Sequence, residues 1–244
     1  MIPIRNAVPS RYPAVITWTL IAINCAVFLF QDSLSPHELE LFVREFALIP
    51  ANYTGMAPGE SVLSGGTFLP FLSMMFLHGG WVHLILNMWT LWLFGPTIED
   101  RLGHTRYLAF YLVCGLAASS AHVIFNPNST VPALGASGAI AGILGSYMRL
   151  FPLARLVVLI PILFIPFFVE IHAFVFIGLW FLIQVFQSAL ELAMPSSEGV
   201  AWWAHVGGFV TGFVLGPLLA RSEQHYRVYY PDEGLLGFDT RGRI

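Results

Sequence analysis

Four side chains set the chemistry to be considered first: Ser137, His205, His83 and Asn87. A serine within hydrogen-bond reach of a histidine is the minimal pair for acyl transfer. The imidazole takes the hydroxyl proton as the oxygen attacks a carbonyl carbon, then returns it to the leaving amine. The tetrahedral oxyanion needs donors, and His83, Asn87 and the backbone N–H of Ser137 are donors. Ser137 sits in Gly135-Ala136-Ser137-Gly138-Ala139, and His205 in Trp202-Trp203-Ala204-His205-Val206-Gly207-Gly208. His83 and Asn87 are spaced i, i+4 and share one helix face. Plainer readings stand beside these. Ser137 also reads as a small packing residue, His205 as an interfacial histidine beside two tryptophans, and His83 with Asn87 as a polar clamp between helices. His78 lies five residues from His83, about 140° round a helix, which is poor spacing for a two-histidine metal site. No metal or cofactor is expected. His122, His172 and Gln184 have no evident partners and read as structural. His37, His104 and His225 fall in loops or tail and read as solvated.

The elements that must position these groups are set by composition. Of 244 residues, 57% are hydrophobic and only 10% charged, with a mean hydropathy of +0.73. Soluble domains carry about 25% charged residues, so a soluble globular chain and a disordered one are both excluded. A net charge of −3 and a pI near 6.2 give no basic patch for nucleic acid. The cysteines, Cys25 and Cys114, lie in apolar runs and form no framework. Stretches free of Asp, Glu, Lys and Arg run 12–31, 61–98, 107–148, 156–169, 171–190 and 199–220. A bilayer core takes about 20 apolar residues per helix. The third stretch is broken at Asn126-Pro127-Asn128, and Gly95-Pro96 is read as stopping the second helix. Stretch 156–169 is short and carries Pro161 and Pro166, so it is read as a membrane-surface or re-entrant segment. Six helices result, about 13–31, 75–94, 105–125, 135–150, 171–192 and 200–220.

All 11 basic residues are arginines. With a cytoplasmic N-terminus, every arginine except Arg44 falls inside, a strong positive-inside signal. The expected architecture is an all-α polytopic bundle of six transmembrane helices with both termini cytoplasmic. Residues 1–12 form a cytoplasmic N-terminus, 13–221 the membrane core with a long external loop at about 32–74, and 222–244 a cytoplasmic tail. The first helix is read as retained, since no small-residue cleavage site follows it. In this topology the helices at 75–94, 135–150 and 200–220 all start at the outer face. His83, Asn87, Ser137 and His205 then share one leaflet. No Asp or Glu lies in the outer halves of these helices, so a dyad is expected rather than a triad. Gly138, Ala141, Gly142 and Gly145 form a small-residue stripe, as do Gly208, Gly212 and Gly216. Packing one stripe on the other brings His205 to Ser137.

With these residues in place, the chain resembles the rhomboid intramembrane serine proteases. The resemblance rests on His78-Gly79-Gly80-Trp81-Val82-His83-Leu84-Ile85-Leu86-Asn87, on Gly135-Ala136-Ser137-Gly138, and on Ala204-His205-Val206-Gly207-Gly208. Glu99-Asp100-Arg101-Leu102-Gly103 matches the family's E-x-x-x-G stretch. It implies Ser137 as nucleophile and His205 as general base, with His83, Asn87 and the Ser137 amide as oxyanion hole. His78, Gly135 and Gly138 would support the site, and Glu99 and Gly103 would be structural. It implies hydrolysis near the outer end of substrate transmembrane helices, with membrane proteins as substrates and the lipid bilayer as surroundings. Neither a metal nor a cofactor is implied. Phe174, Trp180 and the Pro195–Gly199 loop become candidate gate elements. The compact form points to a prokaryotic inner membrane. The sequence does not fix the oligomeric state. Two departures stand out: Leu69-Pro70 replaces the Trp-Arg pair of many relatives, and Ala141 replaces a tyrosine that stacks on the histidine in bacterial ones. Two other readings are a catalytically silent relative that binds transmembrane clients, and a transporter using the same polar residues as a path.

Overall fold

The computed structural model describes residues 1–54, 68–162, 165–193 and 201–221. In chain order the elements are β1 (Ile2–Asn6), α1 (Val15–Ser33), α2 (Pro36–Phe46), α3 (Ala51–Thr54) and α4 (Leu69–Ser73). A 3-10 turn (Met74–Phe76) leads to α5 (Trp81–Leu102), α6 (His104–Phe125) and α7 (Ser137–Leu150). Then come β2 (Arg155–Ile162), β3 (Ile165–His172), α8 (Ala173–Ala193) and α9 (Trp202–Leu219). The chain is mostly helical. Among the described residues four helices, α1, α6, α8 and α9, are long and apolar enough to cross a membrane. A fifth span results if α4 and its 3-10 turn are joined to α5 across a 90° bend. Their outward faces carry exposed apolar side chains such as Ile124, Leu182, Phe186 and Leu218. A surface of that kind is stable against lipid, not water.

The tightest packing is between α7 and α9. A Cβ built on Gly208 would fall on the carbonyl oxygen of Gly138, one on Gly212 on that of Gly142, and one on Gly216 on the side chain of Ser146. Glycines at i, i+4 and i+8 therefore let the two backbones touch, the close approach that lipid-embedded helices depend on. Helix α7 is largely buried, with every residue from Gly138 to Tyr147 enclosed.

Helix α5 departs from the expected 75–94. It begins at Trp81 and passes through Gly95 and Pro96 to Leu102. Proline removes one helical hydrogen bond and crowds the preceding turn. Here the loosened turn is supported from outside, since the Leu93 carbonyl accepts from Asn6 Nδ2 at 3.4 Å. Gly95 also leaves room for Thr17 and Tyr107, whose atoms would lie 2.8–3.0 Å from a Cβ. Residues 75–80 are a 3-10 turn and a bend, not helix α5.

Segment 156–169, expected as a membrane-surface or re-entrant segment, is built of strands over its described residues. It forms the antiparallel hairpin β2–β3, with Pro161 paired to Pro166 near its tip and Val158 to Val169. Strand β1 adds on the other edge of β2, in the order β1-β2-β3. The residues alternate as a half-buried strand requires: Leu156 and Val158 are buried, while Arg155 and Glu170 pair at 3.0 Å on the exposed side. Two prolines in a β-branched run disfavour helix and tolerate a strand close to its turn.

The helix ends gather into two polar clusters. In one, the Glu99 carboxylate caps α1, accepting from the backbone N–H groups of Ile16 and Thr17 at 2.8 Å each and from Thr17 Oγ1 at 2.7 Å. This satisfies helix donors that Ala14, at the N-cap, cannot serve. Asp100 accepts from the Arg11 and Tyr12 amides at 3.1 and 2.9 Å. His104 is not simply solvated: its Nδ1 lies 2.6 Å from Glu99. The Arg221 amide donates to Arg101 O at 3.0 Å, bringing the end of α9 to the same place. At the opposite end, Gln31 closes α1 against the backbone of His78. Within the stretch expected as a long loop at about 32–74, Pro36–Phe46 forms α2, which carries a capping box between Ser35 and Glu38. The Ser35 side chain, and then its backbone N–H, hold the Glu38 carboxyl below its ordinary value.

Candidate active site

Ser137 is the first residue of α7, so its amide N–H has no carbonyl partner in a preceding turn. Gly135, just before it, has φ +129°, a conformation that L side chains rarely adopt, and its amide donates to Met74 O at 2.8 Å. That turn is anchored to the bend before α5, and it aims the serine at α9. His205 lies in the first turn of α9. The α7–α9 backbone contact sets the two helices at a depth where His205 Nε2 is 2.8 Å from Ser137 Oγ, across 68 positions of sequence.

His83 projects from the first turn of α5. Its Nδ1 accepts from the Gly79 amide at 3.4 Å, which leaves the hydrogen on Nε2 as a donor. A Cβ built on Gly135 would lie 2.8 Å from His83 Nε2 and 3.6 Å from Ser137 Oγ. The glycine is thus what allows the imidazole to approach the serine. Asn87, one turn further along, is buried, and its Nδ2 has no hydrogen-bond partner among the described residues. His78 is buried too, and its ring packs edge-on against His83 at 5.1 Å. Gly138 packs on Ala118, which a Cβ would meet at 2.6 Å. Ser137, His205, His83, His78, Gly135 and Gly138 therefore lie around one locus, with Asn87 one helical turn along α5 from His83.

The sequence reading missed Gln184. Read there as structural and without partners, it presents Oε1 to His205 Nδ1 at 2.7 Å. No spacing rule links residue 184 to residue 205, because they sit on different helices. Trp180 and Trp202 flank the His205 ring at centroid distances of 6.0 and 6.1 Å. Ala141 is buried in the α7 packing. His122 is not isolated either, lying 3.2 Å from Asn126 Nδ2. Phe174 is displaced from the site. It opens α8 beside the β-hairpin, its amide donating to Pro152 O at 3.0 Å, about 15 Å along the helix from Gln184. Residues 195–199 and His225 lie outside the described residues.

A mostly helical, lipid-facing bundle with a half-buried serine–histidine contact between its helices belongs to the class of polytopic membrane proteins built around a polar centre. Residues 65–222 match the family model described as Rhomboid domain, and the chain belongs to the rhomboid family. Among its relatives, RHOMBOID-like protein 4 of Arabidopsis thaliana is 33% identical over 66% of this chain and 36% of its own length. Rhomboid protein 1, mitochondrial, of Saccharomyces cerevisiae is 26% identical over 89% and 57%. Rhomboid protease GluP of Bacillus subtilis is 37% identical over 38% and 18%. The matches thus span less than two thirds of each relative's own length. The Bacillus subtilis relative is named as a protease. The chain is an integral membrane protein. Its relatives carry mitochondrial as well as bacterial names, so they lend no support to the expected prokaryotic inner membrane.

Proposed function

We propose that the chain is a serine endopeptidase that hydrolyses peptide bonds near the outer end of a substrate's transmembrane helix. The observation that carries this reading is the 2.8 Å contact between His205 Nε2 and Ser137 Oγ. His205 takes the Ser137 proton as Oγ attacks the scissile carbonyl carbon. The carbonyl oxygen becomes an oxyanion facing the Ser137 amide, His83 Nε2–H and Asn87 Nδ2. As the C–N bond breaks, His205 passes the proton to the departing amine and leaves an acyl-Ser137. Water, deprotonated by the same imidazole, then releases the acid and restores the hydroxyl. The unpartnered donor of Asn87 fits a group held for a charge that exists only during the reaction.

In this reading α1, α5, α6, α7, α8 and α9 form a six-helix membrane core within 13–221, with both termini cytoplasmic. Helix α7 has 14 residues, about 21 Å at 1.5 Å per residue, against a hydrocarbon thickness of about 30 Å. Surrounded by longer helices, it can begin below the outer surface, which sets Ser137 inside the bilayer. The arginine-bearing ends, Arg101, Arg106, Arg155 and Arg221, then face the cytoplasm, and the substrates are transmembrane proteins arriving through the bilayer.

The test is fluorophosphonate labelling of the purified chain together with cleavage of a model substrate that has one transmembrane helix. Wild type labels and cuts, while Ser137→Ala and His205→Ala do neither and keep the wild-type melting profile. Cutting by Ser137→Ala overturns the assignment. A wild-type chain that neither labels nor cuts favours the silent client-binding reading.

A further inference from the structure

We propose that Gln184 is the positioning residue that selects the working tautomer of His205, taking the place of the acid in a serine–histidine–acid triad with a neutral amide. The inference rests on the Ser137–His205 reading above. Two hydrogen bonds fix which way the carboxamide points. Its Nε2 donates to the Trp180 carbonyl, one turn earlier on α8, at 3.2 Å, so its oxygen is the atom that meets His205 Nδ1 at 2.7 Å. An amide oxygen only accepts, so Nδ1 carries the hydrogen. A neutral imidazole has one N–H, which leaves Nε2 with its lone pair toward the Ser137 hydroxyl at 2.8 Å. That tautomer can take the serine proton. The other would present an N–H to the serine and could not act as a base.

The surroundings make this bond the main directional restraint on the ring. Ala141, in the turn of α7 after Ser137, offers no ring to stack on. The indoles of Trp180 and Trp202 lie at 6.0 and 6.1 Å, tilted and edge-on. They confine the imidazole sterically and do not distinguish its two nitrogens. Gln184 itself is buried at 5% exposure, so water competes poorly for its oxygen. A carboxylate at this depth would also set the tautomer, but at the desolvation cost of a buried charge. The amide sets it without that cost and stabilises the transient imidazolium only through its dipole.

The experiment uses the full chain in detergent and in proteoliposomes, comparing wild type with Gln184→Leu and Gln184→Glu. Steady-state cleavage of the single-helix substrate gives kcat and KM, and 15N spectra of histidine-labelled wild type give the His205 tautomer. Gln184→Leu is expected to lower kcat by roughly 10- to 100-fold, part of the ~10²–10⁴ that a positioned base contributes, with KM nearly unchanged. Gln184→Glu, which keeps an acceptor oxygen in place, is expected to recover most of that loss. The wild-type spectrum is expected to place the hydrogen on Nδ1. A hydrogen on Nε2, or a Gln184→Leu enzyme within about threefold of wild-type kcat, overturns the proposal. If Gln184→Leu does not fold, the wild-type tautomer and the glutamate variant decide it. Persistent cutting by Ser137→Ala would instead sink the protease reading, while the tautomer measurement would still judge the Gln184 contact by itself.

Discussion

The polar cluster around Glu99 and the one around Asn87 partner their buried groups differently. At the arginine-bearing end, both Glu99 carboxylate oxygens are engaged, by two helix amides, a threonine hydroxyl and a histidine. Asp100 holds two further backbone amides, and Asn6 ties β1 to Thr97 and Tyr147. At the Ser137 end, the Asn87 donor is buried with no partner among the described residues. A saturated cluster lowers the energy of the folded chain and has nothing left to offer a substrate. A cluster with unused donors costs stability and is ready for a charge that forms later. The glycine contacts between α7 and α9 are what make the second arrangement tolerable, because backbone packing fixes the helices without help from the site's side chains.

Substitutions at the two ends should therefore separate activity from stability. The largest effect expected is from Ser137→Ala or His205→Ala, a fall in cleavage of roughly 10⁴- to 10⁶-fold with unchanged thermal unfolding. Asn87→Ala comes next, with a loss of about 10²–10³ in kcat for one oxyanion donor. Removing an unsatisfied donor should leave the melting temperature unchanged or raise it. A lowered melting temperature with unaltered kcat would assign Asn87 to helix clamping. Glu99→Ala is the counterpart at the other end. It strips α1 of its cap and should cost about 3 kcal/mol, at ~1–3 kcal/mol per buried group left unsatisfied. The fraction that remains folded should cut at the wild-type rate. Chemical denaturation in mixed micelles measures the first quantity and activity per labelled molecule the second.

How much of this was legible in the sequence follows from the range of each interaction. Ser137, His205, His83 and Asn87 stand in short motifs whose spacing sets the helix face, and two small-residue stripes announced their own contact. The three-stranded sheet was hidden because β1 and the β2–β3 hairpin lie some 150 residues apart, and an apolar run with prolines reads equally as a surface segment. Helix α5 was cut short because Gly95-Pro96 carries a strong local stop signal, and the contacts that override it come from Asn6, Thr17 and Tyr107. Gln184 escaped for the same reason. A glutamine on an apolar helix declares neither its partner nor its rotamer, and its role depends on a histidine across a helix interface.

The smallest effect sharpens the contrast by placing a saturated pair at the Ser137 end. The α2 capping box joins Ser35 to Glu38: Ser35 N and Oγ donate to the Glu38 carboxylate at 2.9 and 2.6 Å, and the Glu38 amide returns a bond to Ser35 Oγ at 3.4 Å. These bonds favour the ionised carboxyl, so its value in the folded chain lies below the ordinary 4.5. A lowered carboxyl value stabilises the folded form above the unfolded value, and that contribution fades as pH falls through the folded one. Amide exchange in the first turn of α2 should therefore be slow at neutral pH and quicken, relative to the middle of the helix, below pH 4.5. Ser35→Ala, which removes the hydroxyl and keeps the backbone donor, should weaken this pH dependence and leave cleavage at neutral pH within about twofold of wild type, as loss of an exposed cap requires. If losing the cap slows cleavage markedly, α2 bears on the site directly. The division between saturated and poised clusters would then run within the Ser137 end as well as between the two ends.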